Sequence, residues 1–180
     1  MKINNDKTLV GFKRINQYAE RVANSINEYY EQFSLSNVVA VGILSGAVPW
    51  MNLVLSKVTV PIEVEYIKAS SYNGIFSKGK LKIENMPKNI KSGTQVILFD
   101  DIVDTAETMI KIKQLFEKKG AIVRTSALLK RESAEFHVDY IGRIVKDGLW
   151  LYGFGMDLQN SFGNQVYRNL PYVKILNKNK

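Results

Sequence analysis

The sequence predicts an α/β fold in which a mostly parallel, twisted sheet is flanked by helices. Two short apolar runs, Val38–Ile43 and Val96–Phe99, are typical of strands buried on both faces of a sheet. Residues 13–33 carry apolar side chains at spacings of three and four, which indicates an amphipathic helix. Because strands and helices alternate along the chain, we expect βαβ units with ligands beyond the carboxyl ends of the strands.

The remaining elements follow the same alternation. Pro49 suits the first turn of a helix that runs through Leu55, and Gly120 marks the end of a helix that follows Thr108. Further strands are predicted at 62–69, at 121–129 and from 139 onward, and the Ser- and Gly-rich segment 70–80 is predicted to be a loop. We expect one domain over residues 1–180, with a core at about 13–142 and a small flap at about 143–175.

Composition excludes several kinds of chemistry. The 180-residue chain has no cysteine and one histidine, which rules out disulfides, a cysteine nucleophile and a multi-histidine metal site. No apolar run reaches the ~20 residues that span a bilayer, and the N-terminus lacks a signal-peptide core, so we expect a cytoplasmic protein without a membrane partner. Lys and Arg number 25 against 17 Asp and Glu, a formal net charge of +8. The scattered charges favour polyanionic small molecules, with a nucleic-acid partner as the alternative.

The segment Val96–Thr108 carries the sharpest functional pattern. It runs from a buried strand into two adjacent carboxylates, Asp100 and Asp101, and then through Asp104 and Thr105 into a helix. The N-terminus of a helix offers backbone N–H groups and a positive dipole, which suit a phosphate monoester. Ribose hydroxyls or Mg²⁺ would satisfy the two acids, which have no packing reason to end a buried strand. The alternative is that Asp104 and Thr105 only cap the helix.

This segment resembles the phosphoribosyl-pyrophosphate motif of type I phosphoribosyltransferases: four apolar residues, two acids, two apolar residues, then Asp-Thr-Gly-x-Thr. Ala106 stands where the family usually has glycine, and Glu107 occupies the variable position. The resemblance implies the type I phosphoribosyltransferase fold and a catalytic Asp104. It also implies that one continuous stretch binds the ribose and the 5′-phosphate: Asp100, Asp101, Ile102, Val103, Asp104, Thr105, Ala106, Glu107 and Thr108.

Other segments are similar to the branch of this family that acts on 6-oxopurines such as hypoxanthine and guanine. Leu44-Ser45-Gly46 resembles the loop that holds pyrophosphate. There the family generally has Lys or Arg in place of Ser45 and often a cis peptide bond, which corresponds here to Leu44–Ser45. Ser71 and Tyr72, at the start of the Ser- and Gly-rich segment, resemble the family's mobile catalytic lid.

The resemblance also implies a set of base-binding residues in the C-terminal half. Lys130, at a strand end, would donate to O6 of the purine, whereas Arg131 is expected to be structural. Trp150 would stack on the purine, Leu151 would offer backbone groups to its edge, and Asp157 would lie near the purine, the pyrophosphate and its Mg²⁺. By residue type alone, two alternatives stay open, a solvated strand-end role for Lys130 and a core position for Trp150.

Tyr167-Arg168-Asn169-Leu170-Pro171-Tyr172 matches a family signature whose arginine grips pyrophosphate. Asp157 and Arg168 lie farther apart than the corresponding residues of the family, so residues 159–165 are interpreted as an inserted loop. We expect Arg168 still to reach the site, because loop-closure entropy grows slowly with length. The residues near Gly163 are expected to be mobile.

The implied reaction transfers the 5-phosphoribosyl group from phosphoribosyl pyrophosphate to N9 of a 6-oxopurine, giving inosine or guanosine monophosphate and pyrophosphate. Mg²⁺ is the expected cofactor, with Asp100, Asp101 and Asp157 as its ligands. Small-molecule substrates are the expected partners, within a homodimer or homotetramer and with no specific nucleic acid. The alternatives are a xanthine-preferring transferase and a regulator that senses phosphoribosyl pyrophosphate or a nucleotide and binds RNA or DNA.

Overall fold

The computed structural model describes residues 6–32, 37–72, 80–159 and 165–177. Strands and helices alternate through most of these ranges, as the sequence predicts. In chain order the elements are β1 Lys7–Val10, α1 Phe12–Gln32, β2 Val38–Leu44, α2 Ala47–Leu55, β3 Ile62–Tyr72, β4 Lys80–Glu84, β5 Gln95–Val103, α3 Glu107–Glu117, β6 Ile122–Arg131, β7 Tyr140–Val145, β8 Leu151–Tyr152, β9 Leu158–Gln159, β10 Gln165–Val166 and β11 Val173–Ile175.

The central sheet has six strands in the order β4-β3-β2-β5-β6-β7. Its neighbouring strands are parallel, except that β3 and β4 pair antiparallel. Both central strands, β2 and β5, consist largely of buried apolar residues, because helices and neighbouring strands leave neither face to solvent. The predicted α/β fold with a mostly parallel sheet is confirmed.

The prediction of a loop over 70–80 is wrong at both ends. Strand β3 continues to Tyr72 and β4 begins at Lys80, so Ser71 pairs with Leu81 and Tyr72 pairs with Lys80. Composition favoured a turn here, but backbone pairing extends both strands beyond their apolar positions. Ser71 and Tyr72 therefore belong to the backbone ladder of a strand, and the rest of the predicted lid, 73–79, lies outside the described residues.

The helices pack against the sheet through their apolar faces. Helix α1 buries residues spaced by three and four, and these are Ile15, Ala19, Val22, Ala23, Ile26 and Tyr30. On α2, the Trp50 Nε1–H donates to Ser126 Oγ of β6 at 3.0 Å, and both side chains are fully buried. Among the helices that the structure describes, none combines the length and apolar character needed to cross a bilayer.

A second, antiparallel sheet joins the two ends of the chain in the order β1-β11-β8. Tyr152 on β8 is fully buried, and its hydroxyl donates to Asp6 Oδ2 at 2.7 Å. This sheet overlaps the predicted flap, 143–175. It also includes β1, an N-terminal strand that the sequence pattern does not predict, because its partner lies at the opposite end of the chain.

Replacement of Trp50 by Phe tests how strongly α2 is held against the sheet. The change removes the indole N–H, leaves the Ser126 hydroxyl buried without this donor and opens a cavity. We expect Trp50→Phe to lower the free energy of unfolding by about 2–4 kcal/mol, measured by urea denaturation. Ser126→Ala leaves no comparable cavity and is the matched control, with a smaller loss. A Trp50→Phe protein as stable as wild type would contradict this interpretation.

Candidate active site

Three adjoining cavities lie at the carboxyl edge of the central sheet. The turn cavity, about 90 Å³, is lined by the end of β5 and the start of α3. The large cavity, about 490 Å³, lies between this turn and residues 147–157. The edge cavity, about 320 Å³, lies between the β2–α2 turn, the end of β5 and Arg168. Ile102 lines all three, so ligands in them would lie against one another.

The turn cavity is built from the segment that the phosphoribosyl-pyrophosphate motif predicts. Helix α3 begins at Glu107, and the residue before it, Ala106, has a left-handed backbone with φ of 64°. Asp104 does not cap this helix; its carboxylate instead accepts a hydrogen bond from Arg131. The capping alternative is therefore wrong for Asp104. The residues that line the cavity are Asp100, Ile102, Val103, Asp104, Thr105, Ala106, Glu107, Thr108 and Met109.

Asp100 and Asp101 lie within the end of β5, because the strand continues to Val103. Asp101 is only 8% exposed, and its Oδ1 accepts the Ile102 backbone N–H at 2.7 Å. Asp100 is half-buried, and its Oδ1 accepts the Asp101 backbone N–H at 2.9 Å. Burial raises the pKa of both carboxyl groups above the ordinary value, and the negative charge of Asp101 adds to the rise for Asp100.

Two glycines allow three segments to meet around Asp101. A Cβ at Gly46 would overlap the Asp101 carboxylate. A Cβ at Gly155, where φ is +100°, would overlap the backbone oxygen of Gly46. The β2–α2 turn, the end of β5 and the segment after β8 therefore pack without intervening side chains. In the first of these segments the Leu44–Ser45 peptide bond is cis, as the resemblance predicts.

Arg168 reaches the edge cavity despite the longer connection from Asp157. Its Nη2 lies 2.9 Å from Asp157 Oδ1, its Nη1 lies 3.9 Å from Asp101 Oδ2, and it donates to the Gly155 carbonyl. Strands β9 and β10 pair antiparallel, so the two ends of the connection between Asp157 and Arg168 lie side by side. Residues 160–164, which include Gly163, lie outside the described residues. The edge cavity also contacts Leu44, Ser45, Gly46, Asp100 and Asp101.

The large cavity is lined by one tryptophan and by several acidic side chains. Trp150 lines it and is 57% exposed, so the alternative of a core position for this residue is wrong. Asp104 and Thr105 line the cavity on the side of the turn, and Leu151 and Asp157 line it on the side of β8. The structure thus brings Trp150, Leu151 and Asp157 into one cavity with Asp104.

Arg131 is the basic residue that lines the large cavity, whereas the predicted O6 donor, Lys130, precedes it in β6 and stays a prediction. The strand register accounts for the contact between Arg131 and Asp104. Val103 lies opposite Lys130 in the β5–β6 pair, so the next residues, Asp104 and Arg131, are also neighbours. Strand register, unlike residue type, was the signal that would have found Arg131.

A parallel α/β sheet with cavities at its carboxyl edge defines a protein that binds its ligands across the ends of its strands. The sequence profile of the phosphoribosyl transferase domain matches residues 12–157. The chain therefore belongs to the phosphoribosyltransferase family.

The relatives and solved structures that the chain resembles include several purine phosphoribosyltransferases. Hypoxanthine-guanine phosphoribosyltransferase of Lactococcus lactis is 29% identical over 175 residues, 95% of this chain and 91% of the relative. The protein of that name from Streptococcus thermophilus is 31% identical over 152 residues, 81% of each chain. Hypoxanthine phosphoribosyltransferase from Trypanosoma cruzi, in complex with the product IMP, has a TM-score of 0.86 at 21% identity, covering 99% of this chain and 98% of that chain. The Staphylococcus aureus enzyme has a TM-score of 0.84 at 22% identity, covering 97% and 94%.

Gly155→Ala tests the close approach of the three segments. The new methyl group would overlap the Gly46 carbonyl and strain a positive φ, so we expect a loss of about 3 kcal/mol or more in the free energy of unfolding. Gly148 has a φ of +73°, and a methyl group added there would meet no other atom within 4 Å. Gly148→Ala is therefore the control for strain alone and should cost about 1–2 kcal/mol. Equal losses in urea denaturation would contradict the packing argument.

Asp100→Asn tests how far the adjacent acids Asp100 and Asp101 lower the thermal stability of the protein. A raised pKa in the folded state means that the folded protein binds protons more tightly than the unfolded chain. Stability is therefore full below the unfolded pKa, about pH 4, and falls as the pH rises through the folded value. We expect Asp100→Asn to have a higher Tm than wild type at pH 7 and no advantage at about pH 3.5. A variant with a lower Tm at pH 7 would contradict this sign.

Proposed function

We propose that this protein transfers the 5-phosphoribosyl group from phosphoribosyl pyrophosphate to N9 of a 6-oxopurine. One observation supports this most directly: three adjoining cavities, all touching Ile102, match the three parts of the reacting pair. The turn cavity suits the 5′-phosphate, the large cavity with Trp150 suits a purine, and the edge cavity with Arg168 suits pyrophosphate. The relatives that carry the name hypoxanthine-guanine phosphoribosyltransferase support the same reaction.

The phosphate and ribose would bind along the end of β5 and the start of α3. Backbone N–H groups and the hydroxyls of Thr105 and Thr108 would hold the 5′-phosphate near the positive end of the helix dipole. The carboxylates of Asp100 and Asp101 would accept hydrogen bonds from the ribose hydroxyls. This arrangement would hold C1′ of the ribose between the large cavity and the edge cavity.

The purine would bind in the large cavity and lose its N7 proton as it reacts. Trp150 would stack on the ring, and the Leu151 backbone would bind the edge of the base. Lys130 stays the predicted donor to O6, and Arg131, which lines the cavity, donates to Asp104. Asp104 would accept the proton from N7 while N9 attacks C1′, which is the work of a general base. Adenine would be disfavoured because its amino group meets a donor.

The pyrophosphate would leave through the edge cavity as the C1′–oxygen bond breaks. Backbone groups of Leu44, Ser45 and Gly46 and the Arg168 guanidinium would stabilise the developing negative charge. Positive charge that develops at C1′, as in glycoside hydrolysis, would lie over the buried carboxylates.

The residues at this edge fit a bound Mg²⁺ in one particular way. Among the described residues no three His, Cys, Asp or Glu side chains form a metal cluster, and Asp157 is paired with Arg168. Mg²⁺ commonly takes one or two carboxylates, with waters and substrate phosphates completing its shell. Half-buried Asp100 and buried Asp101 are adjacent acids that this arrangement would satisfy, and Asp157 would join on release from Arg168. When bound, Mg²⁺ supplies charge neutralisation for the pyrophosphate.

The experiment that tests the proposal is a spectrophotometric assay with phosphoribosyl pyrophosphate, Mg²⁺ and each of five bases. We expect turnover with hypoxanthine and guanine, and none with adenine or uracil. Xanthine as the preferred base would support the xanthine alternative. No transfer to any base, together with salt-resistant, sequence-selective RNA or DNA binding, would overturn the proposal in favour of a regulator. A cytoplasmic location and a homodimer or homotetramer stay predictions.

Asp104→Asn tests the assignment of the general base. The variant keeps the shape of the side chain and loses its ability to accept the N7 proton. We expect kcat to fall by about 10²–10⁴-fold, whereas the affinity for phosphoribosyl pyrophosphate, measured by calorimetry, changes far less. Glu117→Gln, an acid-to-amide change at the far end of α3, is the control. Turnover near the wild-type value in Asp104→Asn would remove Asp104 from this role.

A further inference from the structure

The Arg131 guanidinium connects three segments of the large cavity. Its Nε donates to Asp104 Oδ1 at 2.8 Å. Its Nη1 donates to the Lys146 carbonyl at 2.9 Å, and its Nη2 donates to the Leu149 carbonyl at 2.6 Å. These acceptors lie in the turn after β5, just after β7 and immediately before Trp150. One side chain at the end of β6 therefore contacts both the acid side and the aromatic side of the cavity.

The two parts that Arg131 contacts are exposed to solvent. The Asp104 side chain is 67% exposed, and Arg131 is its hydrogen-bonding partner among the described residues. The loop after β7 is exposed at Lys146, Asp147 and Gly148, and Asp147 Oδ1 accepts hydrogen bonds from the Ser133 backbone N–H and hydroxyl. Arg131 itself is well fixed, because its side chain is only 12% exposed. The well-fixed guanidinium therefore restrains the exposed carboxylate and the exposed loop.

A guanidinium group can donate hydrogen bonds to three separate segments at once, and an ammonium group at the same place cannot. The guanidinium is planar and presents its five N–H donors in a fixed fork, so fixing one hydrogen bond sets the direction of the others. Three of its donors reach acceptors on three different segments. A lysine at the same position carries a single charged nitrogen and cannot span acceptors that surround both edges of a guanidinium.

We propose that Arg131 is a positioning residue that fixes the Asp104 carboxylate relative to the Leu149 carbonyl, which immediately precedes Trp150. A purine stacked on Trp150 then presents N7 to Asp104 without a search over side-chain rotamers. This inference deepens the proposed function and rests on it for its catalytic consequence. The structural part, an ordered Trp150 loop, does not depend on the reaction.

The structural part is tested on the protein without substrates, by tryptophan fluorescence. The chain has two tryptophans, of which Trp50 is fully buried and Trp150 is 57% exposed, so the acrylamide-quenchable emission reports Trp150. We expect Arg131→Lys and Arg131→Met to lower the anisotropy of the quenchable component. Lys146→Met is the matched control, because it removes a nearby charge and leaves the carbonyl acceptor in place. Unchanged anisotropy in both Arg131 variants would overturn the proposal.

The catalytic part is tested by steady-state kinetics of Arg131→Lys, which keeps the charge. Misplacement of reacting groups by about 1 Å costs up to about 10²-fold in rate, so we expect kcat to fall by about 10–100-fold. The KM for phosphoribosyl pyrophosphate should stay within about twofold of wild type, because its phosphate sites do not contact Arg131. A loss confined to KM, with kcat intact, would overturn the positioning role.

The two tests separate the inference from the proposed function. If the wild-type protein transfers phosphoribosyl groups to no base, the proposed function fails, whereas the fluorescence result still decides whether Arg131 orders the loop. Urea denaturation of each variant shows whether it is folded. If Arg131→Met does not fold, Arg131→Lys carries both measurements, because it preserves the positive charge beside Asp104.

Discussion

The site depends on the close approach of three backbone segments around the Asp101 carboxylate. Gly46 and Gly155 make this approach possible because neither has a side chain, and a Cβ at either position would overlap its neighbour. The approach sets the distance between the β2–α2 turn and the end of β5, and it brings the segment after β8 over both. The three cavities that share Ile102 are the spaces that remain between these segments.

The same packing concentrates charge away from solvent. Asp101 and Asp157 share the Arg168 guanidinium, and burial raises the pKa of Asp100 and Asp101. Two adjacent acids with raised pKa values lower the stability of the fold at neutral pH. A protein retains such acids at a site that binds a cation or hydroxyl groups. Phosphorylated substrates with Mg²⁺ would offset that cost. The arrangement therefore explains both a local weakness of the fold and the ligand class that we propose.

Most of the central sheet could be predicted because its signals are local. The apolar runs of β2 and β5, the periodicity of α1 and the acid pair lie within short windows of sequence. Pairing between distant segments could not be predicted: β1 joins β11 from the other end of the chain. The contact between Arg131 and Asp104 could not be predicted for the same reason. It depends on the register that sets Val103 opposite Lys130 and therefore Asp104 beside Arg131, which residue types do not reveal.

A crystal structure of the protein with inosine monophosphate would test the three-cavity site most directly. We expect the 5′-phosphate in the turn cavity, the base against Trp150 in the large cavity, and the N7 edge facing Asp104 beside Arg131. The edge cavity beside Arg168 should stay open for pyrophosphate. A nucleotide bound away from the carboxyl edge of the sheet, or with its base outside the large cavity, would rule out this assignment of the cavities.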